Sequence, residues 1–308
     1  PLIGTPLPQQ EIDLIEAWID GGAPATGQVP GAPCLPPLVY EPTPAPPVPP
    51  GGYQLLLNGP TLNPGQEQEG CLWIPVPNAT DFAVGRWEFA LNPGTHHFAV
   101  FVYNHAGTPP TNVWNGGDVG CISGASFGES ISGSPQAPYF IDAYNPGIGR
   151  ILRAGTYLGL NAHYQNPYTV PIQMKVWTNI YPYGGTPDHE AITLIDYDDM
   201  FTINVPPFTQ RLQQGRYTNT TGRPLNVFQV TGHMHKRGLR FTAYQSNGTK
   251  LYENFDWSHP IFRHIDPPFV LAPGDYINFE CLHDNGVTRP LKRDPAGNPI
   301  TLLFGVTT

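Results

Sequence analysis

The chain has 308 residues, enough for a well-buried core and for two domains of ordinary size. Its net charge of −9, with no clustered Lys/Arg stripe, argues against nucleic acid as a partner. No run of residues approaches the roughly 18 apolar positions of a membrane span. The 38 prolines and 34 glycines, against 13% charged residues, break the sequence into short apolar runs between turn signals, which predicts a mostly β protein.

In chain order, residues 8–22 predict the single helix. Ile12, Ile15 and Ile19 recur at helical spacing, Leu14 and Trp18 broaden the stripe, and Gly21-Gly22 supply a stop. Residues 30–50 then hold ten prolines in twenty-one positions, which predicts an extended, polyproline-like tether. The expected division is an amino-terminal module over 1–25, a Pro-rich linker over 26–51, and two β domains over 52–205 and 206–308.

Each β domain carries its own histidine motif. In the first, the alternation of residues 157–164 puts Leu158, Leu160 and Ala162 on one face and Asn161 and His163 on the other. A His96-His97 pair precedes it. In the second, residues 227–240 read as a strand that holds His233 and His235 on one face and turns Met234 away as a packing residue. Neutral imidazoles in such company suit a borderline transition metal, and copper in particular. His105, His189, His259, His264 and His283 have no such company and read as surface or loop residues, His283 being the most ambiguous because it follows Cys281 by two.

Four cysteines lie far apart at Cys34, Cys71, Cys121 and Cys281, with no Cys-x-x-Cys zinc spacing. They predict at least one disulfide and an oxidising compartment, so the protein is expected to be secreted, periplasmic or on the cell surface. Cys71 and Cys121 are the disulfide candidates, but spacing does not fix the pairing. Sequons at Asn78, Asn219 and Asn247 are compatible with secretion.

With these positions laid out, residues 52–308 resemble the type II copper, ascorbate-dependent monooxygenases, the family of peptidylglycine α-hydroxylating and dopamine β-monooxygenases. The resemblance lies in the order of motifs: a His-His pair, a His-Tyr, a His-x-His with Gly232 and Gly238 around it, and the strand leading to Cys281. It implies an all-β chain of two tandem jelly-roll-like β-sandwich domains, preceded here by one short helix and the Pro-rich linker. It also implies two copper sites. His96, His97 and His163 would hold the electron-supplying copper, with Asn161 in a supporting position, and His233 and His235 would hold the copper that binds oxygen and substrate.

In the family a Met completes the second site, within a Met-Cys pair that follows a Phe-Gly segment. This chain ends at Phe304-Gly305-Val306-Thr307-Thr308, so that site is expected to be incomplete here. The peptide-hydroxylating relatives carry an Arg two positions before His-x-His. Thr231 stands there in this chain, which argues against a peptidylglycine substrate.

Residues 1–24 resemble the last helix of a c-type cytochrome domain, so haem c is expected only in a missing upstream domain. The expected partners are O2, a small organic substrate and an electron donor, either cytochrome or ascorbate, with self-assembly as a further expectation. The function implied is an exported copper-dependent monooxygenase that hydroxylates a C–H bond. Two alternatives stand beside it: a non-enzymatic extracellular scaffold or assembly subunit, and a copper-binding electron-transfer protein.

Overall fold

The computed structural model describes residues 9–22, 39–103, 107–109, 129–134, 138–196, 202–234, 237–257 and 260–303. The chain is all-β, with one helix among the described residues, α1 (Gln9–Asp20). Gly21 and Gly22 close α1 by donating to the carbonyls of Ala17 and Ile19, with Gly22 at φ 85. Its Ile15, Trp18 and Ile19 stripe is exposed.

The first β module contains β1 (Tyr53–Leu62), β2 (Glu67–Pro75), β3 (Phe82–Leu91), β4 (Thr95–Val102), β5 (Glu129–Ser134), β6 (Tyr139–Ala143), β7 (Ile148–Leu152), β8 (Tyr157–Gln165), β9 (Ile172–Pro182) and β10 (His189–Glu190). A six-stranded sheet runs β1-β9-β3-β7-β10, with β6 also paired to β3, and a four-stranded sheet runs β2-β8-β4-β5. Their facing sides share one apolar core. Leu57, Trp87, Phe89, Met174 and Ile180 come from the larger sheet, and Phe98, Val100, Leu158, Leu160 and Ala162 from the smaller. The alternation read from β8 is therefore the alternation of a sandwich strand, with Leu158, Leu160 and Ala162 wholly inside. Burying each leucine contributes on the order of 2 kcal/mol.

The end of the Pro-rich stretch does not hang free. Thr43 donates through its amide to Asn92 Oδ1 at 3.1 Å and through its hydroxyl to the Leu91 carbonyl at 2.6 Å. Asn92 also donates to the Tyr40 hydroxyl, and the Asn179 and Gln54 side chains donate to the carbonyls of Pro47 and Pro46. Proline removes donors but keeps every carbonyl. An extended Pro-rich segment can thus be held through its carbonyls and the few donors it keeps, and residues 39–50 are part of the first module rather than a loose tether.

The second module contains β11 (Asn204–Val205), β12 (Thr209–Thr218), β13 (Leu225–Val230), β14 (Gly238–Gln245), β15 (Lys250–Asn254), β16 (Arg263–Leu271), β17 (Tyr276–Asn285) and β18 (Leu302–Leu303). A four-stranded sheet runs β12-β17-β14-β15, with two-stranded sheets β13-β16 and β11-β18 beside it. Because β11 pairs with β18, Asn204 and Val205 belong to this module, and the boundary expected between 205 and 206 falls earlier. Ala243, Leu251 and Tyr252 form its small core, flanked by Phe241, Phe269 and Phe279.

Three sequence expectations change here. His283 is buried in β17, with Nε2 3.6 Å from Cys281 Sγ, and is not a surface or loop residue. The two residues share a face because they are two apart on one strand. Residues 231–234 lie in the connection between β13 and β14, not on a strand, because the β13-β16 ladder ends at Val230 and Arg263. Two of the sequons are structural: Asn78 and Asn219 are buried, and their amides donate to the carbonyls of Leu152 and Arg153 and of Leu271 and Arg223 respectively.

Asp284 organises the carboxy-terminal end of β17. Burial pushes its carboxyl up, but donors from Gln210 Nε2, the Thr288 amide and hydroxyl and the Val287 amide override burial and hold it far below the usual carboxylate range. A depressed folded pKa adds stability that is present above about pH 4 and is lost as pH falls below it. Asp284→Asn is expected to lower stability at neutral pH by about 1–3 kcal/mol and to flatten the acid limb of the stability–pH curve. Denaturant melts from pH 7 to pH 3 would check this, and parallel curves for the two proteins would count against it.

Candidate metal centre

Adjacent residues on a regular strand point to opposite faces. The His96-His97 pair escapes that rule because β4 is bulged at its start: Thr95 pairs with Tyr164 and His97 with His163, which leaves His96 as the extra residue. A bulge sets two residues against one on the partner strand and re-aims their side chains. His96, His97 and His163 consequently converge, with ring centroids 5.4 Å apart for His96 and His97 and 5.1 Å apart for each of them and His163.

The turn that carries the chain from β3 in one sheet to β4 in the other is tightly packed beside the bulge. Gly94 has φ +98, and a Cβ there would come within 2.5 Å of Ile172 Cδ1 and 2.8 Å of the Gln165 carbonyl. Its own carbonyl accepts from the Gln165 amide at 2.8 Å. No larger side chain fits at that point of the turn.

The triangle has the dimensions of a shared metal site. With a metal–nitrogen bond of about 2.0–2.1 Å, two imidazole centroids on one ion lie about 5.2 Å apart at a tetrahedral angle and about 5.5 Å at a trigonal one. The ring spacing of the three imidazoles thus suits a transition metal, and the ligand atoms that lie within 4.8 Å of one another are those of His97, His163 and Glu69, with His96 beside that group.

Two carboxylates that sequence reasoning missed complete the surroundings, and both come from β2. The β2-β8 register pairs Glu67 with Gln165, Glu69 with His163 and Cys71 with Asn161. Glu69, His163 and His97 thus stand abreast on three adjacent strands, with Cys71, Asn161 and Ala99 on the next rung. Glu67 Oε1 lies 2.7 Å from His163 Nε2, which leaves Nδ1 to face a metal, the arrangement by which a carboxylate orients a metal-binding histidine. Burial opposes ionisation of Glu67, but its contacts with His163 and Gln165 hold its carboxyl below the ordinary value. Burial pushes the Glu69 carboxyl up, partly offset by the His163 charge and by a hydrogen bond from Asn161. Asn161 is buried and also donates to the Gly70 carbonyl at 3.4 Å, so it touches the site through Glu69.

The second module covers this face. The Trp257 ring lies 5.0 Å from His96, and the His233 ring lies 6.3 Å from His97. Nearby, Gln229 donates to Asp142 at 3.0 Å, and Phe262 and Tyr144 meet Phe140 and Phe228 across the same boundary. Of the expected ligands of the second copper, His233 is thus brought to the first cluster, while His235 lies outside the described residues. Met234 is buried against Gly238, as its packing role requires. Thr231 donates to the Ile261 carbonyl at 2.9 Å.

Cys71 is fully buried and disulfide-bonded, next to Trp73 and Phe101 beneath the histidine row. Cys34 and the other disulfide candidate, Cys121, lie outside the described residues, as do His105 and His259. Cys281 is a free, buried thiol, pushed up to about 12 by burial. No helix among the described residues is long and apolar enough to cross a membrane.

Comparison with known proteins adds little. No family model matches the chain, and no curated protein matches it. The crystal structure of the PBSX exported protein XepA aligns over 75% of this chain and 87% of its own length, at 10% identity and a TM-score of 0.22. A likeness that slight carries no argument about fold or function.

Asn161→Ala is expected to leave the Gly70 carbonyl and the Glu69 carboxylate short of a buried donor, costing about 1–3 kcal/mol in denaturant unfolding. A loss below 0.5 kcal/mol, which is about the range of ordinary surface substitutions, would place Asn161 outside the supporting shell.

Proposed function

We propose that this chain is the catalytic portion of an exported, copper-dependent monooxygenase that hydroxylates a C–H bond of a small organic molecule. The observation that carries the reading is the bulge-made triangle of His96, His97 and His163, with His233 of the second module set beside it. Copper bound at such sites supplies one-electron redox chemistry and the activation of O2. His96, His97 and His163 would hold the electron-supplying ion, and His233 with His235 the ion that meets oxygen and substrate.

The chain's own residues prepare the first centre. Glu67 holds Nε2 of His163, so Nδ1 is the nitrogen left for a metal. The Trp257 ring packs against His96 at a tilt, with centroids 5.0 Å apart. The approach of His233 to His97 favours a two-motif enzyme over a single-copper electron-transfer protein, because a lone centre gives the second module no reason to present a histidine there.

The disulfide at Cys71 supports export to an oxidising compartment. The electrons would come from ascorbate or from a cytochrome fused upstream. The docking of residues 39–50 on the first module shortens the reach of any such fusion to the segment before them.

Metal analysis of the intact protein after copper loading is expected to give two coppers per chain. His97→Ala and His233→Ala should each lose one of them. A wild-type protein that stays folded and copper-free in excess copper would overturn the proposal, and loss of both coppers from either variant alone would show a single shared site.

A further inference from the structure

The strand register puts an acidic side chain where the three-histidine reading provides none. We propose that Glu69 is a direct fourth ligand of the first centre, giving it a three-imidazole, one-carboxylate donor set that favours a divalent ion over Cu(I). The inference rests on the triangle binding a metal, and it holds whether or not that metal is copper.

Glu69, His163 and His97 occupy directly opposed positions on β2, β8 and β4, so their side chains leave the same face of the sheet within cross-strand contact. The ligand atoms of all three lie within 4.8 Å of one another. Two donors on one ion are separated by about 3–4 Å, so closure of this trio needs side-chain adjustments of about 1 Å, and His96, whose ring lies 5.1 Å from that of His163, joins it by turning its side chain.

The two acidic neighbours divide the work by position. Glu67 is exposed and already committed to Nε2 of His163. Glu69 is half-buried and receives the Asn161 amide, which occupies only part of a carboxylate's acceptor capacity and holds it in place. A carboxylate kept out of water beside two imidazoles is stabilised by a cation between them.

The chemistry follows from charge and hardness. A carboxylate oxygen is a harder donor than imidazole nitrogen, and its negative charge favours a 2+ ion over a 1+ ion at the same distance. The donor set would therefore hold copper in its oxidised form more tightly than three neutral imidazoles do. Two histidines and a carboxylate also make a site that other divalent transition metals accept.

The test uses the full chain as wild type, Glu69→Gln and Glu67→Gln, titrated separately with Cu(II) and Zn(II) in competition with a chelator. Midpoint potentials and the electron paramagnetic resonance of the copper forms would be recorded. Glu69→Gln is expected to bind both metals at the first centre at least tenfold more weakly and to show altered copper hyperfine splitting. Its ratio of Cu(II) to Cu(I) affinity should fall at least tenfold, read as a rise in midpoint potential of about 59 mV per tenfold.

Glu67→Gln should keep the wild-type resonance spectrum with a smaller loss of affinity, because it positions His163 and donates no ligand atom. If Glu69→Gln does not fold, Glu69→Asp, which keeps the charge and withdraws the oxygen by one methylene, should show the same tenfold loss. Zinc bound in a Glu69-dependent manner by a protein that takes no copper would support this inference while ending the monooxygenase reading. A Glu69→Gln protein with wild-type affinities within twofold and a superimposable spectrum would overturn it, as would a folded wild type that binds neither metal.

Discussion

One extra residue in one strand governs the histidine cluster. Were β4 paired without interruption, His96 and His97 would face opposite sides of their sheet, one toward the sandwich core and one toward the second module. An imidazole in that core would displace packing around Tyr164 and leave a polar ring without water. The register shift between Thr95 and His97 removes the conflict and aims both rings at His163. Everything before the bulge serves to place it: the Gly94 turn, the Asn92 side chain that Thr43 and Tyr40 engage, and the hydrogen bond between Gln165 and Gly94.

The rest of the first module is a support for that face. Its core fixes β8 and β4 from below, and the Cys71, Trp73 and Phe101 cluster fills the lower part of the outer face. The histidine row is left toward the end, where the second module lies. Trp257 and His233 belong to connections rather than strands, so the second module offers loop residues to a sheet-built cluster. Binding residues are commonly carried on loops held by a rigid frame.

Much of this was legible in the sequence because it depends on local periodicity. The alternation of residues 157–164 located His163 on the outer face and Leu158 and Leu160 in the core, and the Pro/Gly punctuation announced an all-β chain. What was not legible depends on pairings between distant segments. Glu67 and Glu69 sit in an unremarkable polar run, and only the β2-β8 register, spanning more than ninety residues, sets them beside His163. The same holds for Trp257, which has no motif, and for His283, whose burial comes from a strand placed inside the four-stranded sheet. The sequons at Asn78 and Asn219 were compatible with secretion, but a sequon does not reveal that its amide is already bonded to backbone carbonyls. The expectation of a strand through His233 failed for a related reason, since apolar and polar residues alternate there but the ladder partner ends at Arg263.

The central claim is that the bulge gathers three imidazoles onto one metal. X-ray absorption at the copper edge, on the intact protein carrying one equivalent of copper, tests it most directly. Light scatterers at about 2.0–2.1 Å and the outer-shell scattering of three imidazole rings are expected. An environment with one imidazole or none would contradict it.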